Sequence, residues 1–182
     1  HSGAGIMECK TAVKETSGDL EAAVTFLRKK GLAKADKKSD RQTGDGSVGT
    51  YIHAGNKLGV MVVLNCETDF VANTPDFQEL VRDIAMHIAA AKPRFATRDE
   101  VTQEILDKEK EIAAHQAKES GKPDKIIEKI VSGKMEKFYE ENCVLEQPFI
   151  KDTNITVEEL IKQKIALLGE NINIGRFARF EI

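Results

Sequence analysis

No apolar run in this chain approaches the ~20 residues that a membrane-spanning helix requires, which excludes such a helix. The first residues carry no signal-peptide pattern. A basic excess is missing too: 27 Lys and Arg stand against 30 Asp and Glu, for a net charge of −3. Dedicated nucleic-acid binders normally present a strongly basic surface, so no direct nucleic-acid contact is expected. Cysteine is scarce and odd in number. Cys9, Cys66 and Cys143 lack CxxC spacing and have no histidine at metal-ligand spacing, so at least one thiol is free and a reduced, cytosol-like compartment is expected. There is no GxxxxGK[ST] loop and no GxGxxG after a strand; the glycines of TGDGSVG precede a strand and read as linker residues. A nucleophile with a base and an orienting partner is also absent. Cys66 falls on the apolar face of its strand and reads as a buried, inert thiol. His53 lies near a turn, His87 beside Met86 on a helix, and His115 in a charged segment. No enzyme activity, cofactor or metal is therefore expected, and no internal duplication or low-complexity stretch is visible.

What is present is enough for a core. Apolar residues make up 41% of the 182 and charged residues 31%, so the surface is well solvated. The segment GAGIMECKTAVKETSGDLEAAVTFLRKKG reads as two short helices. The first runs from about Gly5 to Glu15, with Ile6, Cys9, Ala12 and Val13 on one stripe. Asp19 is the expected N-cap of the second, and Gly31 its stop. Two such helices bury little alone, so a third is expected upstream of His1, or the pair leans on the core or a partner. A start at His1 rather than Met also suggests a trimmed chain. LAKADKKSDRQTGDGS then reads as a short helix to about Lys38 and a linker.

From Val48 the period becomes two. VGTYIHAG and KLGVMVVLNCE flank Ala54-Gly55-Asn56, a hairpin signal. Leu58, Val60, Val62, Leu64 and Cys66 share one face of the second strand. Thr74-Pro75-Asp76 supplies an N-cap and a first-turn proline for a helix that puts Phe77, Leu80, Val81, Ile84 and Ile88 on one stripe. Two thin apolar stripes follow, Val101/Ile105/Ile112 and Ile127/Ile130/Val131/Met135/Phe138, separated by Gly121-Lys122-Pro123. They predict an antiparallel helical hairpin. Asn154-Ile155-Thr156 is expected to cap the next helix. A third strand, INIGRFARFEI, alternates Ile172, Ile174, Arg176, Ala178 and Phe180 against Asn173, Gly175, Phe177 and Arg179. The fold class expected is α+β. A small N-terminal helical domain (1–36) and a linker (37–47) lead to a core (48–182) on a three-stranded antiparallel sheet, with the hairpin inserted at about 97–147.

The stretch LNCETDFVAN leaves the second strand with an acid beside an aromatic. Phe70 keeps the parity of Leu64 and Cys66, so it reads either as the last core residue of the strand or as an exposed tip. Asp69 reads as a turn or cap residue. Other functional classes stay open on residues alone. The basic strip from Arg28 to Arg41 suits an RNA- or ribosome-associated domain of a larger organellar polyprotein, and the helical cap suits a ubiquitin-binding adaptor.

Taken together, GAGIMECKTAV, GDLEAAVTFLRKKGLAKADKK, NCETDFVAN and LLGENINIGRFARFEI resemble, in order and over nearly the whole chain, elongation factor Ts of bacteria and organelles. That family exchanges nucleotide on elongation factor Tu. The single core is similar to its short form. The resemblance implies a ubiquitin-associated-like helical domain, whose first helix would precede His1, then a linker and an α/β core. It implies a guanine-nucleotide exchange factor of translation elongation, bound to elongation factor Tu in GDP-loaded and nucleotide-free states. The implied place is the cytoplasm, or an organellar stroma or matrix in a eukaryote. By match, Asp69 and Phe70 of the Thr68–Val71 loop wedge near the partner's Mg²⁺ and phosphate site. Ile6 and Met7 would touch its GTPase domain elsewhere, and Leu168 and Gly169 would support the wedge. Three departures stand out. Ser2 replaces a Thr of the signature, and Gly175 stands where relatives often carry Arg. Ala178 stands where some short relatives carry Cys, which excludes a disulfide across a dimer there. Pairing into a homodimer through the exposed strand or the hairpin stays open.

Overall fold

The computed structural model describes residues 4–119 and 123–182. The Ser2 departure and the Gly121-Lys122 part of the expected hairpin break lie outside the described residues. In chain order the elements are α1 (Ile6–Glu15), α2 (Leu20–Asp36), β1 (Asp45–Ile52), β2 (Leu58–Cys66), α3 (Asp69–Ala72), α4 (Pro75–Ala91), α5 (Gln103–Glu119), α6 (Asp124–Asn142), β3 (Pro148–Phe149), β4 (Asp152–Thr156), α7 (Val157–Leu168) and β5 (Asn173–Glu181). The chain is α+β, as its periodicities imply. It forms two compact units, His1–Ala89 with Glu158–Ile182, and Ala90–Val157. No described helix is long and apolar enough to cross a membrane.

In the first unit β2 is the central strand of an antiparallel sheet ordered β1-β2-β5. Its inward residues Val60, Val62, Leu64 and Cys66 are buried, as the period-two pattern predicts. Phe77, Leu80, Val81, Ile84 and Ile88 of α4 are buried as well, and each such side chain contributes about 1.5–3 kcal/mol relative to exposure. The Thr74 hydroxyl accepts the Phe77 N–H at 3.2 Å, so the expected cap of α4 forms. The opposite face of the sheet leaves Val48, Ile52, Met61 and Phe180 more than half exposed.

Two local expectations are corrected. Gly31 does not stop α2, which runs on to Asp36. A methyl at Gly31 would meet Ala166 Cβ of α7 at 3.4 Å, so the glycine lies where α2 approaches α7. Salt bridges extend that contact, Arg28–Glu159 at 2.8 Å and Lys162–Asp36 at 2.8 Å. The alternation of the last strand also breaks. Ile174 pairs with Leu64 and Arg176 with Val63, leaving Gly175 as the extra residue of a bulge. Beyond it the parity flips. Phe177 and Arg179 lie opposite the inward Val62 and Val60, while Ala178 and Phe180 face outward. Arg179 Nε then donates to the Ala89 carbonyl at 3.2 Å, near the C-terminus of α4, where a cation is favoured. Asn154, Ile155 and Thr156 lie at the end of β4, which pairs with β3, buries Ile155 and runs directly into α7.

The second unit contains the helical hairpin of α5 and α6. Its seam is narrower than the isoleucine stripes suggest. Ala113 and Ala117 of α5 are buried with Ile127 and Met135 of α6, whereas Ile112 is 43% exposed. Small residues let the two helices approach closely, which leaves the longer side chains at the margins. Arg98 ties the unit together. Its guanidinium binds Glu146, with one contact at 2.6 Å, and Glu136 at 2.7 Å, and it stacks 4.2 Å from the centre of the Tyr139 ring. Those two carboxylates raise the pKa of Arg98 still further above its ordinary value, and its hydrogen bond lowers that of Glu136.

Candidate functional site

The strand β2 stops at Cys66, and the chain turns into a single helical turn, α3. The reason is local. Thr68 takes an extended conformation (φ −136°, ψ 156°) and its hydroxyl accepts the Val71 N–H at 3.4 Å. Thr68, not Asp69, is thus the N-cap, which corrects the cap reading of Asp69. Once the backbone is helical, strand parity no longer applies. Residues two apart on a helix point to nearly opposite sides. Ala72 is buried, and Phe70 is 82% exposed. Asp69 is exposed beside it, and Val71 is half-buried.

Both ends of the turn are fixed. On its far side, the Asn73 side chain donates to the Asp69 carbonyl at 2.8 Å. The Gln78 side chain donates to the Ala72 carbonyl at 2.8 Å and to the Ser47 hydroxyl at 3.1 Å. On its near side lies the turn after α7. Gly169 ends that helix at φ +83°, a left-handed conformation suited to glycine, and its N–H reaches the Ile165 carbonyl at 2.9 Å. Leu168 is half-buried and Gly169 exposed. The next residue makes the joint. Glu170 Oε2 accepts the N–H groups of Glu67 at 3.1 Å and Thr68 at 3.0 Å, and Oε1 accepts the Thr68 hydroxyl at 2.6 Å. Glu67 reciprocates by accepting the Asn171 N–H at 2.7 Å.

The same turn holds the segment after α2. Asn171, buried, donates to the carbonyls of Ser39 at 3.1 Å and Arg41 at 2.8 Å, and Lys38 donates to the Gly169 carbonyl. Within the helix pair, Glu8 of α1 binds Lys34 and Lys30 in the last turns of α2. The Lys34 hydrogen bond holds its carboxyl below the usual range. Ile6 and Met7, 87% and 72% exposed, sit one turn away at the start of α1. An unbroken series of contacts thus runs from the first turn of α1, along the last turns of α2, through residues 169–171 to α3.

Sequence reasoning missed Glu67, Glu170 and Asn171. For Glu170 and Asn171 the signal was there in EN, directly after Leu168 and Gly169, but an isolated carboxylate near a helix end reads as a solvated charge. The basic strip is largely consumed internally: Arg28, Lys30, Lys34, Lys38 and Arg41 all have protein partners. The two buried thiols, Cys66 and Cys143, are poor nucleophiles. Burial pushes the Cys66 thiol up, and the Glu170 charge adds to this. Burial pushes Cys143 to about 11. No cluster of three or more metal-ligating side chains occurs among the described residues.

The family model described as Elongation factor TS matches residues 32–182. Elongation factor Ts of Solibacter usitatus is 56% identical over 181 residues, covering 100% of this chain and 85% of that protein. The protein of the same name from Thermosipho melanesiensis is 54% identical, with 100% and 92% covered. That from Geotalea uraniireducens is 57% identical, with 100% and 84% covered. Identity of this order along the entire chain leaves one conclusion: the chain belongs to the elongation factor Ts family of translation elongation factors.

Proposed function

We propose that this chain is a guanine-nucleotide exchange factor for elongation factor Tu, acting in the cytoplasm or in an organellar matrix or stroma. It promotes GDP release by inserting α3 beside the Mg²⁺ and phosphate site. The observation that carries the reading is Phe70, a large apolar ring 82% exposed on a turn braced at both ends. An exposed aromatic on a rigid support loses little conformational freedom on docking, which favours it as an interface anchor. Ile6 and Met7 add an exposed apolar contact on α1, and Leu168 and Gly169 back the turn.

The mechanism needs no covalent step. Mg²⁺ keeps near-octahedral geometry and bridges protein to phosphate. A ring that displaces the groups holding its water shell breaks that bridge, and the diphosphate is left with unscreened repulsion. The factor accelerates exchange only by binding the emptied partner better than the loaded one, since equal affinity shifts nothing. Coupling is reciprocal, so incoming nucleotide expels the factor by the same ratio. The Asp69 backbone carbonyl is taken by Asn73, but its side-chain carboxylate has no partner among the described residues and is left to act on elongation factor Tu.

Fluorescent GDP release from elongation factor Tu tests this. Phe70→Ala is expected to lose most of the stimulation, by roughly tenfold or more for an anchor worth about 2 kcal/mol. Its melting should match the parent, because an exposed side chain changes stability by no more than about 0.5 kcal/mol. Release at the parent rate by a folded variant refutes the wedge. Asp69→Ala is expected to leave stability unchanged and to slow release, since the cap it was thought to provide belongs to Thr68.

A further inference from the structure

We propose that Glu170 is the positioning residue of the wedge, an inference that rests on the exchange reading above. A single carboxylate accepts three hydrogen bonds from the two residues that precede α3: the N–H of Glu67, the N–H of Thr68 and the hydroxyl of Thr68. This arrangement does two things. It orients both peptide planes at the exit of β2, which sets the direction in which α3 departs. It also assigns the Thr68 hydroxyl proton. With that proton committed to Glu170 at 2.6 Å, the hydroxyl oxygen faces the Val71 N–H as an acceptor and closes the cap. Charge-assisted acceptors of this kind are short and strongly directional. The hydrogen bonds of Glu170 go to Glu67 and Thr68 and not to Phe70 or Asp69, so it acts through those two residues.

The joint is a two-way one. The Glu67 carboxylate accepts the Asn171 N–H at 2.7 Å while the Glu67 N–H donates to Glu170 at 3.1 Å. The loop before α3 and the turn after α7 therefore cannot shift independently. A Gln at position 170 keeps the size but has one acceptor oxygen. It can serve the two N–H groups or orient the hydroxyl, not both. An Ala removes all three bonds, and on the near side it leaves the Asn171–Glu67 bond but nothing to orient the Thr68 hydroxyl.

The test is a mutant cycle on GDP release, with melting curves and partner affinity measured in parallel. Glu170→Ala in the parent is expected to lower the maximal release rate by about tenfold to a hundredfold, the scale of misplacing a reacting group by about 1 Å. The factor concentration at half-maximal rate should move less, because Ile6, Met7 and the rest of the surface are untouched. Glu170→Gln is expected to fall between, with a melting temperature near the parent, and it serves if the Ala variant does not fold. In a Phe70→Ala background, Glu170→Ala should cost nothing further, since the aim of an absent ring does not matter. A purely structural role would instead cost the same in both backgrounds, and that result overturns the proposal. So do parent release rates for both Glu170 variants while Phe70→Ala is slow. If Phe70→Ala itself runs at the parent rate, the wedge reading fails, and this proposal with it.

Discussion

Phe70 owes its exposure to its neighbours rather than to its own chemistry. Thr68 caps the turn and Ala72 anchors it, so the ring between them has no inward direction left. Strand parity alone makes the ring a core residue, because parity holds only while the backbone stays extended, and a hydroxyl bonded to a carboxylate about a hundred residues away is not visible locally. The thiols illustrate the opposite case, in which the sequence suffices. Cys66 lies on an apolar face and is buried as expected. Native protein is expected to react with a thiol reagent at pH 8 only through Cys9, which is partly exposed, and to release three equivalents when denatured. Fast reaction of two or three thiols in the native state would contradict the burial. A pH effect follows for Cys143. Its folded pKa is pushed from 9.0 to about 11, so between these values the unfolded chain gives up a proton that the folded chain keeps. Stability is therefore lost as pH rises through that window. Denaturant midpoints should show the gap between the parent and Cys143→Ala narrowing from pH 8 to pH 10.5.

At the scale of elements, most boundaries were legible wherever a cap or a period marked them: Asp19 before α2, Thr74 before α4, alternation along β2. The misses share a cause. Glycine is ambiguous, since the same residue ends a helix, relieves a close contact or opens a bulge. Gly31 sits inside α2 beside α7 and Gly175 opens a bulge, and only a neighbouring element distinguishes such roles. Gly31 carries a quantitative consequence. It lies inside α2 with a helical backbone, and a methyl there meets Ala166 Cβ at an ordinary contact distance of 3.4 Å. Gly31→Ala is expected to raise stability by about 0.5–1 kcal/mol, the usual difference between Gly and Ala in a helix interior. A denaturant titration that finds a loss would mean that α2 and α7 cannot accommodate the methyl.

Across the whole molecule, the residues assigned to partner binding fall in one unit, while α5 and α6 build the other. Their stabilities should separate accordingly. Arg98→Ala removes contacts to Glu146, Glu136 and Tyr139, a loss of about 1 kcal/mol given the partial exposure of the cluster. Hydrogen exchange should quicken along α5 and α6, with GDP release from elongation factor Tu unchanged. Slowed release would assign the hairpin a part in exchange. The sequence by itself determined the α+β class, the inward face of β2, the apolar stripe of α4 and the family, because these depend on periodicity and on motifs read within a few residues of one another. Tertiary structure alone decided how Phe70 is held outward, that Gly175 reverses the parity of β5, and that Glu170 holds Thr68. Each of these rests on a contact between segments far apart in the chain, and no local pattern encodes which distant carboxylate, strand or helix will arrive to make it.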